Sequence, residues 1–138
     1  MKVTSLFALR ESLRQYLAAK LPQAEILAAL PAARRPLRGE KPVLVIGVEG
    51  LRRSDAFLSP CSGLLLEVGL SLTVCHPDSS EECEAVTAAL AELAADTGFP
   101  FHLLALGSAA VEYNRTIGAF LQKTLCTVCC LLSEGESA

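Results

Sequence analysis

The residues best suited to chemistry in this sequence are its cysteines, three of which lie close together near the C-terminus. They read Cys126-x-x-Cys129-Cys130, a spacing that zinc sites and thiol–disulfide centres also use. A structural zinc site needs a second ligand pair at related spacing, and the remaining cysteines and histidines form none. A redox pair sits at a helix start, whereas this run lies inside a predicted strand. We expect free, buried, structural thiols without metal or cofactor, with zinc binding and redox chemistry as the alternatives.

The other residue types that carry catalysis are scattered. His76 and His102 are isolated, and each borders a predicted strand. Glu81 and Glu82 open a predicted helix, where acidic side chains stabilise the positive end of the helix dipole, so they do not indicate a catalytic pair. No serine stands in a nucleophile elbow, and no glycine-rich loop leads from a strand into a helix. The sequence therefore predicts no catalytic residue and no enzyme, and a cysteine-dependent enzyme is the rival class.

Positive charge is concentrated at the two ends of one predicted strand, and a nearby polar loop carries two apolar residues. A solvated loop explains such charge most simply, and a contact surface for an acidic partner or for passing nucleic acid is the alternative. No aromatic residues are interleaved with the charges, so no sequence-specific nucleic-acid binding is predicted. The candidate interface or channel-facing residues are Arg34, Arg35, Arg38, Lys41, Arg52, Arg53, Phe57 and Leu58.

The bulk composition is that of an ordinary folded domain. The chain has 138 residues, of which 51% are hydrophobic and 20% charged, and its net charge is −3. This is enough apolar material for a core, and the charge gives no general attraction to nucleic acid or acidic membranes. No apolar run reaches about 18 residues, so we expect no membrane helix. Arg10, Glu11 and Arg14 interrupt the apolar pattern of the N-terminus, which argues against a secretion signal and for a cytosolic protein.

Residues 64–75 show the clearest secondary-structure pattern in the chain. Every even-numbered position is leucine or valine, while the odd-numbered positions are mixed. Strict alternation predicts a strand with one face in a core, and twelve residues at about 3.3 Å each would span roughly 40 Å. The other long strand is predicted over residues 117–132, where imperfect alternation suggests a bulge near the middle.

Two helices and several shorter elements accompany these strands. Leucines at helical spacing predict a helix over residues 4–20, and a second helix follows Ser79, with Gly98 as its C-cap. Shorter strands are expected over residues 43–51 and 101–106, and residues 24–30 fit either a strand or a helix.

The order of these elements indicates the fold class. Strands grouped on either side of one helix predict an α+β fold, with a largely antiparallel, mixed sheet of about four to six strands and two helices on one face. We expect a single domain over residues 1–138, with an ordered core over about residues 4–132 and a flexible tail over residues 133–138. Two long strands in a small domain leave edges that must be covered, and oligomerisation by edge pairing is one solution.

The layout resembles that of the tail-terminator or tail-completion family, the head–tail joining and minor tail proteins of long-tailed phages. The resemblance runs over roughly residues 4–132. It starts with an amphipathic helix, LFALRESLRQYLAAKLP, and a strand after a proline, KPVLVIGVEGL. The long strand GLLLEVGLSLTVCHP then leads into the helix DSSEECEAVTAALAEL, and the segment VEYNRTIGAFLQKTLCTVCCLL closes the chain. The cysteine-rich last strand is not a feature of that family.

This resemblance implies a non-enzymatic virion-assembly protein encoded by a phage or prophage. Its subunits would form a homo-oligomeric ring, commonly a hexamer, that caps the tail tube and presents a surface to the head–tail connector. The partners would be other copies of the chain, the tail tube and the connector, with no membrane, and assembly would take place in the bacterial host cytoplasm. The basic loop would then face the path of the DNA. The alternative is a small α+β ligand-binding or regulatory module that acts as a homo-oligomer.

Overall fold

One mixed sheet and two helices make up all of the regular secondary structure in the described part of the chain. The structure is a computed structural model that describes residues 2–3, 6–27, 41–53, 64–96 and 98–132. Its helices are α1 (Leu6–Lys20) and α2 (Ser80–Ala94). Its strands are β1 (Lys2–Val3), β2 (Glu25–Leu27), β3 (Val43–Arg53), β4 (Leu64–His76), β5 (His102–Ser108), β6 (Glu112–Asn114) and β7 (Ala119–Leu132).

The two longest strands, β4 and β7, form the centre of the sheet. They pair antiparallel over their whole length, from Leu64 opposite Leu132 to His76 opposite Phe120. β3 pairs antiparallel with the other side of β4, and β2 adds a short parallel strand to the start of β3. The free side of β7 is shared by β6 and β5, both antiparallel, and by β1, which is parallel. The sheet is therefore mixed and mostly antiparallel, as predicted.

Both helices pack on the same face of this sheet, which we call the helix face. The alternation of residues along β4 explains why the helices pack there, because the buried even-numbered residues of β4 lie on the helix face. Leu9, Leu13 and Leu17 of α1 and Val86 and Leu90 of α2 are buried in the same apolar core. The α+β fold with helices on one face is thus confirmed.

The opposite side, which we call the second face, carries the odd-numbered residues of β4 and β7. No described helix packs on it. Val43, Val45 and Cys75 are buried at the end where β3 starts, while Leu125 in the middle is 52% exposed. The two faces therefore differ. The helix face is a continuous apolar core, whereas the second face carries many small or polar side chains and is partly exposed.

Two details of the predicted elements were wrong. α2 ends at Ala94 with Ala95 as its C-cap, so Gly98 does not cap it, and Gly98 does not adopt a positive φ. β7 contains no bulge, because its pairing with β4 keeps one register throughout. The bulges lie in β3, between Val48 and Gly50, and in β5, between Leu103 and Ala105. The described part of the ambiguous segment, β2, is a strand.

Candidate interaction surfaces

The cysteine run lies on both faces of β7, as the strand alternation predicts. Cys126 and Cys130 are buried on the helix face, and Cys129 is half-buried on the second face. All five described cysteines, which include Cys75 and Cys83, are free thiols. Among the described residues, no group of three or more His, Cys, Asp or Glu side chains could hold a metal ion. Cys61 lies outside the described residues.

Burial makes the inner thiols poor nucleophiles. It raises the pKa of Cys126 to about 11 and, with a smaller effect from neighbouring Cys83, raises the pKa of Cys75 to about 11. The pKa values of Cys83 and Cys130 are also raised, again mainly by burial. A thiol must ionise before it can attack or bind a metal, so these four side chains act as small apolar groups at neutral pH.

The histidines have different environments. His76 is buried at the end of β4, where its Nδ1 accepts the backbone N–H groups of Asp78 (3.1 Å) and Ser79 (2.9 Å). Ser79 in turn caps α2 by accepting the N–H of Glu82. His76 thus orders the turn into the helix. His102 is exposed at the start of β5.

A row of chemically distinct side chains crosses the second face. Arg52 on β3 lies opposite Glu67 on β4, and Glu67 lies opposite Cys129 on β7. Cys129 is also the register partner of His102 on β5. The Arg52 guanidinium donates from Nε (3.0 Å) and Nη2 (2.9 Å) to the Glu67 carboxylate. Nothing in the sequence indicated that these four residues are neighbours, because each lies on a different strand and the strands are paired only in the folded sheet.

The predicted basic residues are only partly described. Arg34, Arg35 and Arg38, like Phe57 and Leu58, lie outside the described residues. Lys41 is exposed just before β3, and Arg52 is exposed near the far end of that strand. The two are roughly 35 Å apart at strand spacing, so they do not form one patch. Arg53 is the last residue of β3.

Apart from the outer sides of the short strands β1, β2 and β6, two longer strand edges have no partner strand among the described residues. β5 pairs with β7 on one side only. On the outer side of β3, β2 pairs with three residues, which leaves residues 46–53 without a described partner. Leu104 on β5 is 46% exposed and Leu51 on β3 is 50% exposed. Unpaired edges of this kind are templates for strand addition, so they are the main candidate interaction surfaces.

The comparisons with known proteins add no family to this picture. No protein-family model matches the sequence, and no curated protein is significantly similar to it. Neither described helix is both long and apolar enough to cross a membrane.

Proposed function

We propose that this chain is a non-enzymatic structural subunit of a phage or prophage tail, similar to a tail terminator. Copies assemble into a ring at the head–tail end of the tail tube, stop its growth and present a surface to the connector. Assembly takes place in the bacterial host cytoplasm, and the ring is then part of the virion.

The observation that carries this proposal is the pair of long edges, on β5 and β3, that have no partner strand among the described residues. A sheet with two exposed edges can add a neighbour on each side, and a ring requires two different contacts per subunit. The resemblance in layout supports the same assignment, because the long strand leading into a helix and the long closing strand form the centre of this sheet.

Deletion of the gene in an inducible prophage that carries it tests the biological role. Without a terminator, tube growth is uncontrolled and heads do not join, so electron microscopy should show free heads and tails of irregular length. Supplying the intact gene from a plasmid is the control and should restore joined particles. Normal infectious particles in the deletion strain would contradict the proposal. Flanking capsid, portal or tail-tube genes would support it.

The row Arg52–Glu67–Cys129–His102 favours a second candidate, a ligand-binding module. A cation, a carboxylate, a thiol and an imidazole on one partly open surface can bind a small polar molecule. Native mass spectrometry of the protein purified from a bacterial cytoplasm tests this. A bound small molecule that is lost in an Arg52→Ala variant would favour the module over the structural subunit, and an unliganded mass would count against it.

A further inference from the structure

We propose that copies of this chain join head to tail through their sheets, with β5 of one copy pairing with residues 46–53 of the next. This inference rests on the proposed self-association and identifies the two surfaces that would produce it. The occupant of each edge is thus a second copy of the same chain.

The β5 edge contains one bulge but lacks the charged residues and proline that usually protect an edge against strand addition. Natural edge strands carry lysine, proline or inward-pointing charges that prevent pairing with other chains. β5 reads HLLALGS, with no proline and no Lys, Arg, Asp or Glu. Its bulge residue, Leu104, is half exposed. An uncharged, apolar edge of seven residues is expected to be covered in the working state of the protein.

The β3 edge carries charges, but two of them are neutralised within the subunit. Glu49 accepts from the Lys123 ammonium on β7 at 3.1 Å, and Arg52 is paired with Glu67 on β4. Because these charges are paired within the same sheet, they should oppose the addition of a further strand less than unpaired charges would. Leu51 between them remains 50% exposed, so each edge presents a half-exposed leucine.

Strand direction makes the two edges compatible. β3 is antiparallel to β4, β4 to β7 and β7 to β5, so β5 runs opposite to β3. When copies are placed side by side in the same orientation, β5 meets the next β3 as an antiparallel pair, with both helix faces on the same side. Repeating one such contact between two different edges gives a ring if the rotation closes.

One register also matches the faces of the two strands along the whole of β5. This register places Leu106 opposite Val48 of the next copy. Each strand has one extra, bulged residue, Leu104 in β5 and Glu49 in β3, and the two bulges then lie one pair apart. The shift in register that one bulge introduces is therefore cancelled by the other. In the four central pairs, apolar residues then meet on the helix face and small residues meet on the second face, while each of the two end pairs includes a polar residue. The expected pairs are Ser108–Ile46, Gly107–Gly47, Leu106–Val48, Ala105–Gly50, Leu103–Leu51 and His102–Arg52.

Two edge variants test the contact. Leu104→Lys blocks the β5 edge and Leu51→Lys blocks the β3 edge, and both positions are half exposed in the subunit, so the fold should tolerate the change. Leu125→Lys is the matched control, since Leu125 is equally exposed but lies in the middle of the sheet. We expect each edge variant to raise the concentration at which assembly is half complete by about tenfold or more, equivalent to about 1.4 kcal/mol, with no change in the control. Light scattering gives the masses, and circular dichroism checks the fold.

Mixing the two edge variants distinguishes head-to-tail joining from a symmetric β5–β5 contact. A Leu104→Lys copy keeps its β3 edge, and a Leu51→Lys copy keeps its β5 edge. Head-to-tail joining therefore predicts a dimer in native mass spectra of the mixture that contains one copy of each variant and grows no further. In a symmetric contact, the Leu51→Lys protein would assemble alone as the wild type does, and this would overturn the inference.

The outcomes separate this inference from the proposed function. A wild-type protein that assembles, with both edge variants assembling equally well, would contradict the edge contact and leave the structural role intact. A wild-type protein that stays monomeric at every concentration would contradict both.

Discussion

Two polar side chains on the helix face of β7 show how a strand can stay regular without a regular apolar pattern. Thr124 is buried, and its hydroxyl lies 2.7 Å from that of Ser108 on β5. Gln122 donates to the carbonyl of Ala109 at 2.8 Å. The end of β5 and the residue after it thus supply partners for the Thr124 hydroxyl and the Gln122 side-chain N–H, while the Gln122 Oε1 is buried without a hydrogen-bond partner among the described residues.

The Ser108–Thr124 pair predicts an asymmetric response to mutation. Ser108→Ala leaves a buried hydroxyl without its partner and should lower the free energy of unfolding by about 1–3 kcal/mol. Thr124→Val replaces that hydroxyl with a methyl group and leaves the exposed Ser108 free to bond water, so its effect should stay within about 0.5–1 kcal/mol. Urea unfolding measures both.

The double variant provides the control for this pair. Adding Thr124→Val to Ser108→Ala removes the orphaned hydroxyl and should recover most of the lost stability. Equal losses for both single variants, or no recovery in the double variant, would show that the hydroxyl pair does not satisfy Thr124.

The buried thiols predict a loss of stability at alkaline pH. Cys75 and Cys126 have pKa values of about 11 in the folded protein, whereas an unfolded cysteine has a pKa of about 8.5. The folded state therefore retains protons that the unfolded chain releases. This contribution is fully present below about pH 8.5 and is lost as pH rises toward 11, at about 1.4 kcal/mol per pH unit for each thiol.

Unfolding midpoints measured between pH 8 and 11 check this slope. Because tyrosines and lysines also titrate there, the comparison is with a Cys126→Ala variant. That variant should be less stable at neutral pH, owing to the cavity, but should show a shallower alkaline slope. Parallel slopes in the two proteins would mean that burial of Cys126 does not hold its proton.

At the scale of elements, the turn between β4 and α2 uses a histidine where turns more often use an asparagine. The Nδ1 of His76 accepts N–H groups from two and three residues ahead. Asn114 at the end of β6 does the same with its Oδ1, accepting from Thr116 (2.9 Å) and Ile117 (3.1 Å). Both side chains therefore fix the direction in which the chain leaves a strand.

This likeness predicts which substitutions of His76 are tolerated. His76→Phe keeps a ring but removes the acceptor, leaving two backbone donors unpaired, and should lower the free energy of unfolding by about 1–3 kcal/mol. His76→Asn supplies an oxygen acceptor of the Asn114 type and should lose less. Thermal unfolding followed by circular dichroism at 222 nm compares them. A His76→Asn variant as unstable as His76→Phe would argue against the acceptor role.

Elements with a strong local pattern were predictable, and those that depend on distant partners were not. The alternation in β4 and the leucines of α1 identify these elements and their buried sides from sequence alone. The regular register of β7 was missed because the partners of its polar side chains, Ser108 at the end of β5 and Ala109 just after it, lie in another part of the chain. The extra residues in β3 and β5 gave no local signal, since a bulge is defined by the pairing with a neighbour.

At the scale of the whole molecule, the proposed role depends on the arrangement of strands and not on a reactive group. Two central strands of 13 and 14 residues make a broad sheet, and both described helices cover the same face of it. Composition predicted the core, and the order of the elements predicted the fold class. The positions of the open edges and the row from Arg52 to His102 could not be read from the sequence, because they follow from strand order in space.

Self-association into a ring is tested most directly by the mass of the purified protein as a function of concentration. Light scattering from low micromolar to high micromolar protein should show a rise from the subunit mass of 14.6 kDa to one discrete multiple of it. Rings with a central channel should then be visible by electron microscopy. A constant mass of one subunit across that range would contradict the account.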